Sequence, residues 1–569
     1  MLTIQDMNPS KKELKGIPAS MGIGLGTAYV LKPEMFLVVD NGEDIYNPTE
    51  EREKFVIAVE SVKREYIESI AKLNETSYQL KTILQAEMMI LEDEYFLSVI
   101  KNQISTRISA SKAVFEEFER NKNLLKQADN QILRDRINEL DNIERKILQN
   151  LANKESSINF GKDAIVVAQS ISPTDFLWYV ENGIRGIVTE VGGVTSHLAI
   201  LANSYRIPAV IGVSNATKII SDGDFLIIDA FDGSIVINPN QDIIADYQEK
   251  VKKIQEHIAS LGKLIDLPSV TKDKVKIHLW CNAISKEDIN TALINKAEGI
   301  GLVRTESFVL KHNKFPEEDE QYEIYKEIAN ICYPIPVTFR AFDIGSDKFV
   351  DSLLKREENP ALGLRGIRYL LSRPDVFKTQ IRSILRASVN KNVRFMLPMI
   401  TTLTEVIRSK QLIDEVKNDL RINNILFDND IKIGVMIETP AAALIADELA
   451  KIADFFSIGT NDLIQYVLAA DRTNENLSEY FNSIHLSVLR LIRLIVDAAK
   501  KYKKSVAICG ELASHPSYTE ILIGLGIDEL SVAPNLLLEI KEAVIRANYK
   551  KCKKLADNIL KNRIDYEFI

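Results

Sequence analysis

Histidine and cysteine are both scarce in this sequence. The 569 residues include six histidines, and none precedes His197, so any histidine chemistry in the first 250 residues has a single candidate. The four cysteines lie far apart, without the paired spacing of a disulfide framework or a zinc site, at Cys281, Cys332, Cys509 and Cys552. We therefore expect free thiols and a reducing, cytoplasmic location.

Long apolar runs and a strong excess of charge are also lacking. No stretch approaches the roughly 20 apolar residues of a membrane span, so we expect no membrane insertion. The first 16 residues are polar and contain lysine, which predicts no secretory signal. The formal net charge of -9 is modest for this length and argues against a nucleic-acid partner. The length predicts three or four domains.

Glycine is absent from Asn47 to Asn153, and so is proline after Pro48. Apolar residues in this stretch recur three and four apart, which predicts several amphipathic helices. The pattern occurs in Phe55, Val56, Val59, Val62, Tyr66, Ile67 and Ile70 and again in Met88, Leu91, Tyr95 and Val99. A helical bundle inserted into another domain is the simplest arrangement. Internal packing and docking of another protein remain equal alternatives for its apolar faces.

Residues 163–238 alternate short apolar runs with helical segments, which predicts a compact α/β domain. Residues 14–32 predict a loop that leads into a further strand of this domain, and residues 241–262 predict a linker helix. The expected strands are Ala164 to Ala168, Ile184 to Val188 and Ala209 to Val213, with a hairpin of 223–229 and 233–237. The expected helices are Pro173 to Asn182 and His197 to Tyr205.

A glycine pair, Gly192 and Gly193, stands shortly before His197. The glycines permit a tight turn, after which Thr195 or Ser196 can cap a helix that begins at His197. A helix N-terminus carries partial positive charge and unpaired amide donors. It therefore favours a neutral, nucleophilic imidazole and accepts an anion such as a phosphoryl group beside it. A surface or capping role is the alternative for this histidine.

The carboxyl-terminal half contains eight short apolar runs separated mostly by helical segments. Eight strand-helix units in about 300 residues match a (β/α)8 TIM barrel better than an open sheet. The runs are Val275 to Cys281, Gly299 to Val303, Pro336 to Phe342, Val393 to Met399, Ile431 to Ile437, Phe455 to Ile458, Ser505 to Cys509 and Glu529 to Ala533.

Reactive side chains follow the ends of these predicted strands, where a barrel places its active site. The set is Arg304, Arg340, Glu438, Asn461, Asp462, Arg472 and Cys509. Two carboxylates with open coordination positions suit Mg²⁺, and arginines bind phosphate and carboxylate oxygens in paired hydrogen bonds. The set predicts a site for a small phosphorylated acid. For Cys509, a proton-transfer role and a merely buried cysteine both stay open.

The whole chain resembles the Enzyme I family of the bacterial sugar phosphotransferase system, from the segment Gly-Ile-Pro-Ala-Ser-Met-Gly-Ile at Gly16 to the last barrel strand. The histidine segment alone is similar to pyruvate phosphate dikinase and phosphoenolpyruvate synthase. Those enzymes carry an ATP-grasp domain for which this amino-terminal region has neither the length nor the glycine-rich loops. The run from Met88 to Asp93 is similar to one in the domain of Enzyme I that docks HPr, the histidine-containing phosphocarrier protein.

The resemblance implies a multidomain α/β protein with four parts. They are a phosphohistidine α/β domain at 1–35 and 154–240, a helical HPr-docking domain at 36–153, a linker helix at 241–263, and a phosphoenolpyruvate-binding TIM barrel at 264–569. It also implies a homodimer formed through the barrel.

The implied reaction moves the phosphoryl group of phosphoenolpyruvate to His197 and then to HPr, releasing pyruvate. Glu438 and Asp462 would hold Mg²⁺, and Cys509 would protonate the enolate methylene. The residues implied in substrate binding are Arg304, Arg340, Asn461, Arg472 and Lys348.

Several positions depart from the family pattern. Val194 stands where an arginine is usual, and Leu198 where a threonine or serine is usual. If nothing replaces them, we expect phosphate stabilisation beside the histidine to weaken by about 1 to 3 kcal/mol. Five further departures are Ser307, Ala341, Ser346, Thr473 and Ser514. The alternative function is a catalytically weak regulatory module that senses phosphoenolpyruvate or binds HPr.

Overall fold

The computed structural model describes most of the chain and divides it into two compact units, Met1–Ile254 and Gln255–Ile569. The described residues are 12–31, 46–72, 78–126, 131–152, 163–192, 197–306, 309, 315–345, 357–471, 477, 480 and 484–561. Among the described helices, none combines the length and the apolarity that a membrane crossing requires.

The first unit is built on an eight-stranded mixed sheet with the strand order β1-β8-β7-β3-β4-β5-β6-β2. Its strands are β1 (Lys12–Lys15), β2 (Ile17–Ser20), β3 (Ile23–Val30), β4 (Ala164–Ala168), β5 (Gly186–Thr189), β6 (Ala209–Ile211), β7 (Phe225–Asp229) and β8 (Ser234–Ile237). Strands β3 to β6 are parallel, whereas β1, β2, β7 and β8 pair antiparallel with their neighbours. The predicted α/β alternation and the β7–β8 hairpin are confirmed.

The segment at 14–32 differs from the prediction of a loop and one strand. It forms three strands, and two of them close opposite edges of the sheet. Gly16 lies between β1 and β2 where the packing leaves no room for a side chain, because a Cβ there would lie 2.6 Å from the Ile211 carbonyl oxygen. The long-range pairing of β1 with β8 and of β2 with β6 makes these two four-residue segments strands.

Between β3 and β4 the chain forms the predicted bundle of amphipathic helices. They are α1 (Pro48–Lys72), α2 (Tyr78–Glu92), α3 (Glu94–Gln103), α4 (Ala110–Lys126) and α5 (Gln131–Leu151). The unit continues with α6 (Pro173–Glu181), α7 (His197–Tyr205) and α8 (Ala216–Ile219), and α9 (Gln241–Leu261) follows β8. Phe55, Val62 and Tyr66 on α1 are fully buried in the bundle core, as their spacing predicts.

Ion pairs connect the bundle to the α/β part of the first unit. Asp175 on α6 forms an ion pair with Arg145 on α5 and a second, 3.1 Å one with Lys146, whose side chain is only 3% exposed. Lys146 also pairs with Glu65 on α1. Burial alone would raise the pKa of Asp175, but the two cations outweigh it and hold the pKa below its usual value.

Replacing Asp175 with alanine is expected to destabilise the first unit by about 3 kcal/mol, because the buried Lys146 loses one of the carboxylates with which it forms an ion pair. The Asp175 carboxylate adds its full contribution to the free energy of unfolding when the pH is above its pKa in the unfolded state. This contribution is lost as the pH falls through the lower pKa of the folded state. The free energies of unfolding of variant and wild type should therefore approach each other below about pH 4. Calorimetric unfolding of the full chain at several pH values measures both effects.

The matched control is Glu60→Ala on α1, which removes the 3.1 Å ion pair of Glu60 with Lys63, where the Glu60 side chain is 60% exposed. A surface pair contributes less than about 1 kcal/mol. Equal losses in the two variants would contradict a stabilising role for the Asp175 pairs.

The second unit is a closed barrel of eight parallel strands. The strands are β9 (His278–Ala283), β10 (Ile300–Val303), β11 (Val337–Arg340), β12 (Val393–Leu397), β13 (Lys432–Ile437), β14 (Phe455–Gly459), β15 (Ser505–Cys509) and β16 (Glu529–Val532). Each strand falls on one of the eight predicted apolar runs, so the TIM barrel prediction is confirmed.

Helices surround this barrel in chain order. They are α10 (Lys286–Ile294), α11 (Glu318–Cys332), α12 (Ile367–Ser372), α13 (Pro374–Ala387), α14 (Leu403–Ile422), α15 (Pro440–Leu444), α16 (Ala446–Ile452), α17 (Thr460–Leu468), α18 (Leu486–Lys501), α19 (Thr519–Leu525), α20 (Leu537–Arg546) and α21 (Tyr549–Leu560). The outward side chains of the strands join the helices in one large core.

The interior of the barrel is packed with side chains. Its apolar cluster consists of Leu302, Met396, Met436, Phe455 and Cys509. Because successive side chains of a strand point to opposite faces, this cluster and the outer core alternate along each strand. The barrel is thus a solid core whose polar groups can gather at its carboxyl end.

Candidate active site

Four predicted site residues come together at the carboxyl ends of the barrel strands. Arg340 is the last residue of β11 and Cys509 the last of β15. Glu438 directly follows β13, and Asp462 lies in the first turn of α17 after β14. Strand closure brings these ends into one mouth although the residues lie far apart in sequence.

Glu438 is a buried carboxylate with an unusual electrostatic environment. It is 1% exposed, and its Oε1 accepts a 2.6 Å hydrogen bond from the Met399 amide. Burial and the negative charges of Asp462 and Asp343 raise the pKa of Glu438 to about 8, although Arg340 acts in the opposite direction. A cation bound beside Glu438 would therefore stabilise the ionised form of its carboxyl group.

A chain of ion pairs runs across the barrel mouth. The Arg340 Nη2 donates to Glu306 Oε1 at 2.7 Å and lies 3.4 Å from Asp343 Oδ2. Asp343 also accepts two hydrogen bonds from Arg365, at 2.7 and 3.2 Å. The Arg365 Nη1 in turn lies 3.4 Å from Asp462 Oδ1, so the network orients one of the two predicted metal ligands.

Charge and hydrogen bonding in this mouth fit both a cation and an anion. Four buried carboxyl groups, Glu306, Asp343, Glu438 and Asp462, face the two buried arginines Arg340 and Arg365, so the buried negative charges outnumber the buried positive ones when all four groups are ionised.

Glu438 and Asp462 have the donor chemistry for Mg²⁺, which takes one or two carboxylates and fills its other positions with water or substrate oxygens. No cluster of three or more potential metal ligands occurs among the described residues, so further ligands would have to come from those sources. The Arg340 Nε is buried and has no hydrogen-bond partner in the described part of the chain. It is therefore available to donate a hydrogen bond to a bound anion.

Two further predicted residues flank this centre. The Asn461 side chain is held by Glu511, whose amide donates to Asn461 Oδ1 at 3.1 Å and whose Oε1 accepts from Asn461 Nδ2 at 3.3 Å. Arg304 follows β10 and is half-buried. Burial is the main reason that the pKa of Cys509 is raised to about 11, while a hydrogen bond from Ser457 and the charge of Arg304 act in the opposite direction.

Other predicted positions lie in the first unit or outside the described residues. His197 is the first residue of α7, as the sequence predicted, and Leu198 beside it is buried in the core. Residues 193–196, Lys348 and Arg472 lie outside the described residues.

Four polar residues that lie in or just below the mouth were not predicted from the sequence. They are Glu306, Asp343, Arg365 and Ser457. A signal existed for two of them, because Glu306 and Asp343 stand two and three residues after the strand-end arginines Arg304 and Arg340. Arg365 follows a long connection after β11, and Ser457 resembles any small core residue, so no local pattern marks either.

The chain matches three descriptions of one enzyme class. Residues 258–549 match the PEP-binding domain of PEP-utilising enzymes, residues 160–233 their mobile domain and residues 15–136 their N-terminal domain. The fold, the mouth and these matches define a phosphoenolpyruvate-utilising enzyme.

Two relatives are similar over nearly their whole length. The phosphoenolpyruvate-protein phosphotransferase of Haemophilus influenzae is 36% identical over 559 residues, which cover 96% of each chain. That of Bacillus sp. (strain S) is 35% identical over 557 residues, which cover 97% of this chain and 96% of the relative. A solved structure described as Enzyme I (nEIt) covers 42% of this chain and 99% of its own, with 29% identity and a TM-score of 0.35.

The chain therefore belongs to the family of phosphoenolpyruvate-protein phosphotransferases, enzymes that transfer a phosphoryl group from phosphoenolpyruvate to a protein.

Proposed function

We propose that this enzyme moves the phosphoryl group of phosphoenolpyruvate first to its own His197 and then to an HPr-type phosphocarrier, with release of pyruvate. The observation that carries the proposal is the barrel mouth, where the charges of Asp462 and Arg340 act on the Glu438 carboxyl group and the buried Arg340 Nε has no hydrogen-bond partner among the described residues. Such a mouth accepts a metal-bound phosphorylated acid.

In this proposal the barrel binds and orients phosphoenolpyruvate. Glu438 and Asp462 would hold Mg²⁺, which would supply positive charge to neutralise the phosphoryl and carboxylate oxygens. Substrate oxygens are bound by Arg304, Arg340, Asn461, Arg472 and Lys348. Glu306 and Asp343 fix the Arg340 guanidinium, so the arginine meets the transferring group without reorganisation.

The chemical step exchanges one bond for another. The neutral His197 imidazole attacks phosphorus, a nitrogen–phosphorus bond forms, and the bond between phosphorus and the enol oxygen breaks. Cys509 then gives its thiol proton to the methylene carbon of the enolate, which becomes pyruvate. The position of His197 at the start of α7 supports this role, since helix N-terminal amides stabilise a phosphoryl group.

The inserted bundle is the proposed docking domain for HPr. Apolar side chains stand exposed on it, with Tyr95 78% and Met89 71% accessible. A cleft of about 440 Å³ in the bundle is lined by apolar residues such as Val56 and Leu97 and by residues of both charges, such as Glu60 and Lys63. Exposed apolar groups ringed by charge are typical of protein-binding surfaces.

The proposal also includes four parts of the chain: a phosphohistidine domain at 1–35 and 154–240, a docking domain at 36–153, a linker helix at 241–263 and a barrel at 264–569. It further includes a homodimer formed through the barrel and a cytoplasmic location. The four cysteines are buried and free, which supports a reducing compartment. Analytical ultracentrifugation of the full chain checks the dimer.

The test of the proposal is a two-step transfer of label. The protein is incubated with ³²P-phosphoenolpyruvate and Mg²⁺, separated from substrate, and mixed with purified HPr. We expect acid-labile label on the protein that moves to HPr with stoichiometric pyruvate. A regulatory module would acquire no label, and consumption of ATP would indicate a dikinase reaction instead.

Replacing Gly459 with alanine is expected to lower kcat/KM for phosphoenolpyruvate by about 100-fold, because a misplaced catalytic group costs rate steeply. A Cβ at Gly459 would lie 2.8 Å from Glu438 Oε2 and 2.9 Å from Glu438 Cβ, so the carboxylate must shift. Steady-state pyruvate release measures the effect. Gly262→Ala is the control, since a Cβ there meets nothing within 4 Å. Equal activity of both variants would show that the placement of Glu438 does not matter.

A further inference from the structure

Ser457 lies inside the barrel next to the proposed proton donor. It is 1% exposed, on β14, and its Oγ donates a hydrogen bond to the Cys509 Sγ at 3.2 Å. The Cys509 Sγ in turn donates to the carbonyl oxygen of Ile458 at 3.4 Å. The strands β14 and β15 pair in parallel register, with Gly459 opposite Cys509, so backbone hydrogen bonds fix the distance between the two side chains.

Apolar side chains line the thiol on the inner side of the barrel, and the charged groups of Glu438, Arg340 and Arg304 at the mouth are close enough to influence it. Cys509 belongs to the inner barrel cluster with Leu302, Met396, Met436 and Phe455. An ionised sulfur in such surroundings is costly unless a hydrogen-bond donor faces it. Among the described residues, the Ser457 hydroxyl is the side-chain group that donates a hydrogen bond to this sulfur.

We propose that Ser457 is a positioning residue for proton delivery by Cys509, and that its hydroxyl stabilises the thiolate left after the proton is given up. The inference rests on the proposed role of Cys509 as the acid. In the step, the sulfur–hydrogen bond breaks and a carbon–hydrogen bond forms at the enolate methylene. The enolate oxygen becomes the carbonyl of pyruvate, and the sulfur keeps its electron pair until water returns a proton.

The Ser457 hydroxyl can both orient the thiol proton and stabilise the thiolate. By donating to the Sγ it occupies one side of the sulfur, so the thiol proton is restricted to the remaining directions. After transfer the same bond becomes a charge-assisted one, which is about twice as strong as a neutral bond. The gain therefore arises as the proton leaves, which is the kind of interaction that accelerates a step.

The test separates phosphoryl transfer from protonation. Phosphoenolpyruvate labelled stereospecifically with deuterium at the methylene carbon is turned over in tritiated water, and the chirality of the pyruvate methyl group is measured. Label transfer from ³²P-phosphoenolpyruvate to the protein is followed in parallel. Phosphorylation of a variant shows that its barrel is folded and binds substrate.

We expect Ser457→Ala to lower kcat for pyruvate by about 10- to 100-fold with little change in KM, and to release pyruvate of reduced chirality. Ser457→Thr, which keeps the hydroxyl, should recover most of the rate. Ser531→Ala is the matched control, because Ser531 is also a buried serine of the barrel but its Oγ donates to Asn282 at 2.7 Å.

Two results would overturn the inference in distinguishable ways. If Cys509→Ala destroys rate and chirality while Ser457→Ala behaves like Ser531→Ala, the positioning role alone is wrong. If Cys509→Ala keeps the wild-type rate and chirality, Cys509 is not the acid, and this part of the proposed function falls together with the role of Ser457.

Discussion

Replacing His197 with alanine is expected to abolish the acid-labile label that the protein acquires from ³²P-phosphoenolpyruvate and Mg²⁺. No other histidine lies in the first 250 residues, and a phosphoryl group on nitrogen is acid-labile whereas one on serine or threonine is not. Binding of phosphoenolpyruvate to the barrel should persist, because His197 belongs to the other unit. Labelling followed by acid treatment, and equilibrium binding, measure the two properties separately.

The matched control for this variant is His257→Ala. His257 is exposed on α9, where its Nε2 lies 3.3 Å from Glu542, and it has no place in the proposed transfer. We expect full labelling of this variant. Acid-labile label that survives in His197→Ala would show that another residue carries the phosphoryl group.

Replacing Glu438 with glutamine is expected to lower Mg²⁺-dependent pyruvate release by about 1000-fold, because the variant loses a metal ligand and the charge that fixes the cation. The thermal stability of the metal-free protein should instead increase in this variant at high pH. Wild-type Glu438 has a pKa of about 8 in the folded protein, above its ordinary value of 4.5.

The sign of this effect follows from proton linkage. Between pH 4.5 and 8 the folded state binds more protons at Glu438 than the unfolded state, so the free energy of unfolding falls as the pH rises. Glutamine cannot titrate. In buffer containing a chelator, the melting temperature of Glu438→Gln relative to wild type should therefore rise with pH and become constant above about pH 8.

Adding Mg²⁺ at pH 8 should stabilise the wild type and leave Glu438→Gln nearly unchanged, since a ligand stabilises only the state that binds it. Glu323→Gln is the control, because Glu323 is an exposed residue of α11 paired with Lys326. Its activity and pH dependence should match those of the wild type. Parallel melting curves for Glu438→Gln and wild type across this pH range would contradict the assigned electrostatics.

The sequence was most informative where local pattern and chemistry coincide. The helix from His197 to Tyr205 is observed with the bounds predicted, and the eight apolar runs became the eight barrel strands. Both results depend on short-range features, namely the period of apolar residues and the position of glycines. That the polar and charged residues at the strand ends would lie together could be predicted because a closed parallel barrel gathers those ends at one mouth.

The pairing of charged groups within that mouth could not be predicted. Arg365 and Asp462 are separated by 97 residues in the chain, yet their side chains lie 3.4 Å apart. Ser457 and Cys509 are 52 residues apart, and their contact depends on the register of two neighbouring strands. The pattern of apolar residues within one segment does not indicate how far its side chains lie from those of a distant segment.

The sequence by itself determined the helical bundle, the α/β alternation from β4 onward, the barrel, and the chemical types of groups at its mouth, because these follow from local hydrophobic period and turn residues. Only the tertiary structure decided which carboxylate faces which arginine, which hydroxyl meets the thiol, and that the first strands close the sheet at both edges. The physical reason is that ion pairs and buried hydrogen bonds depend on separations of a few ångströms in space, which are fixed only when strands from distant parts of the chain pair and close.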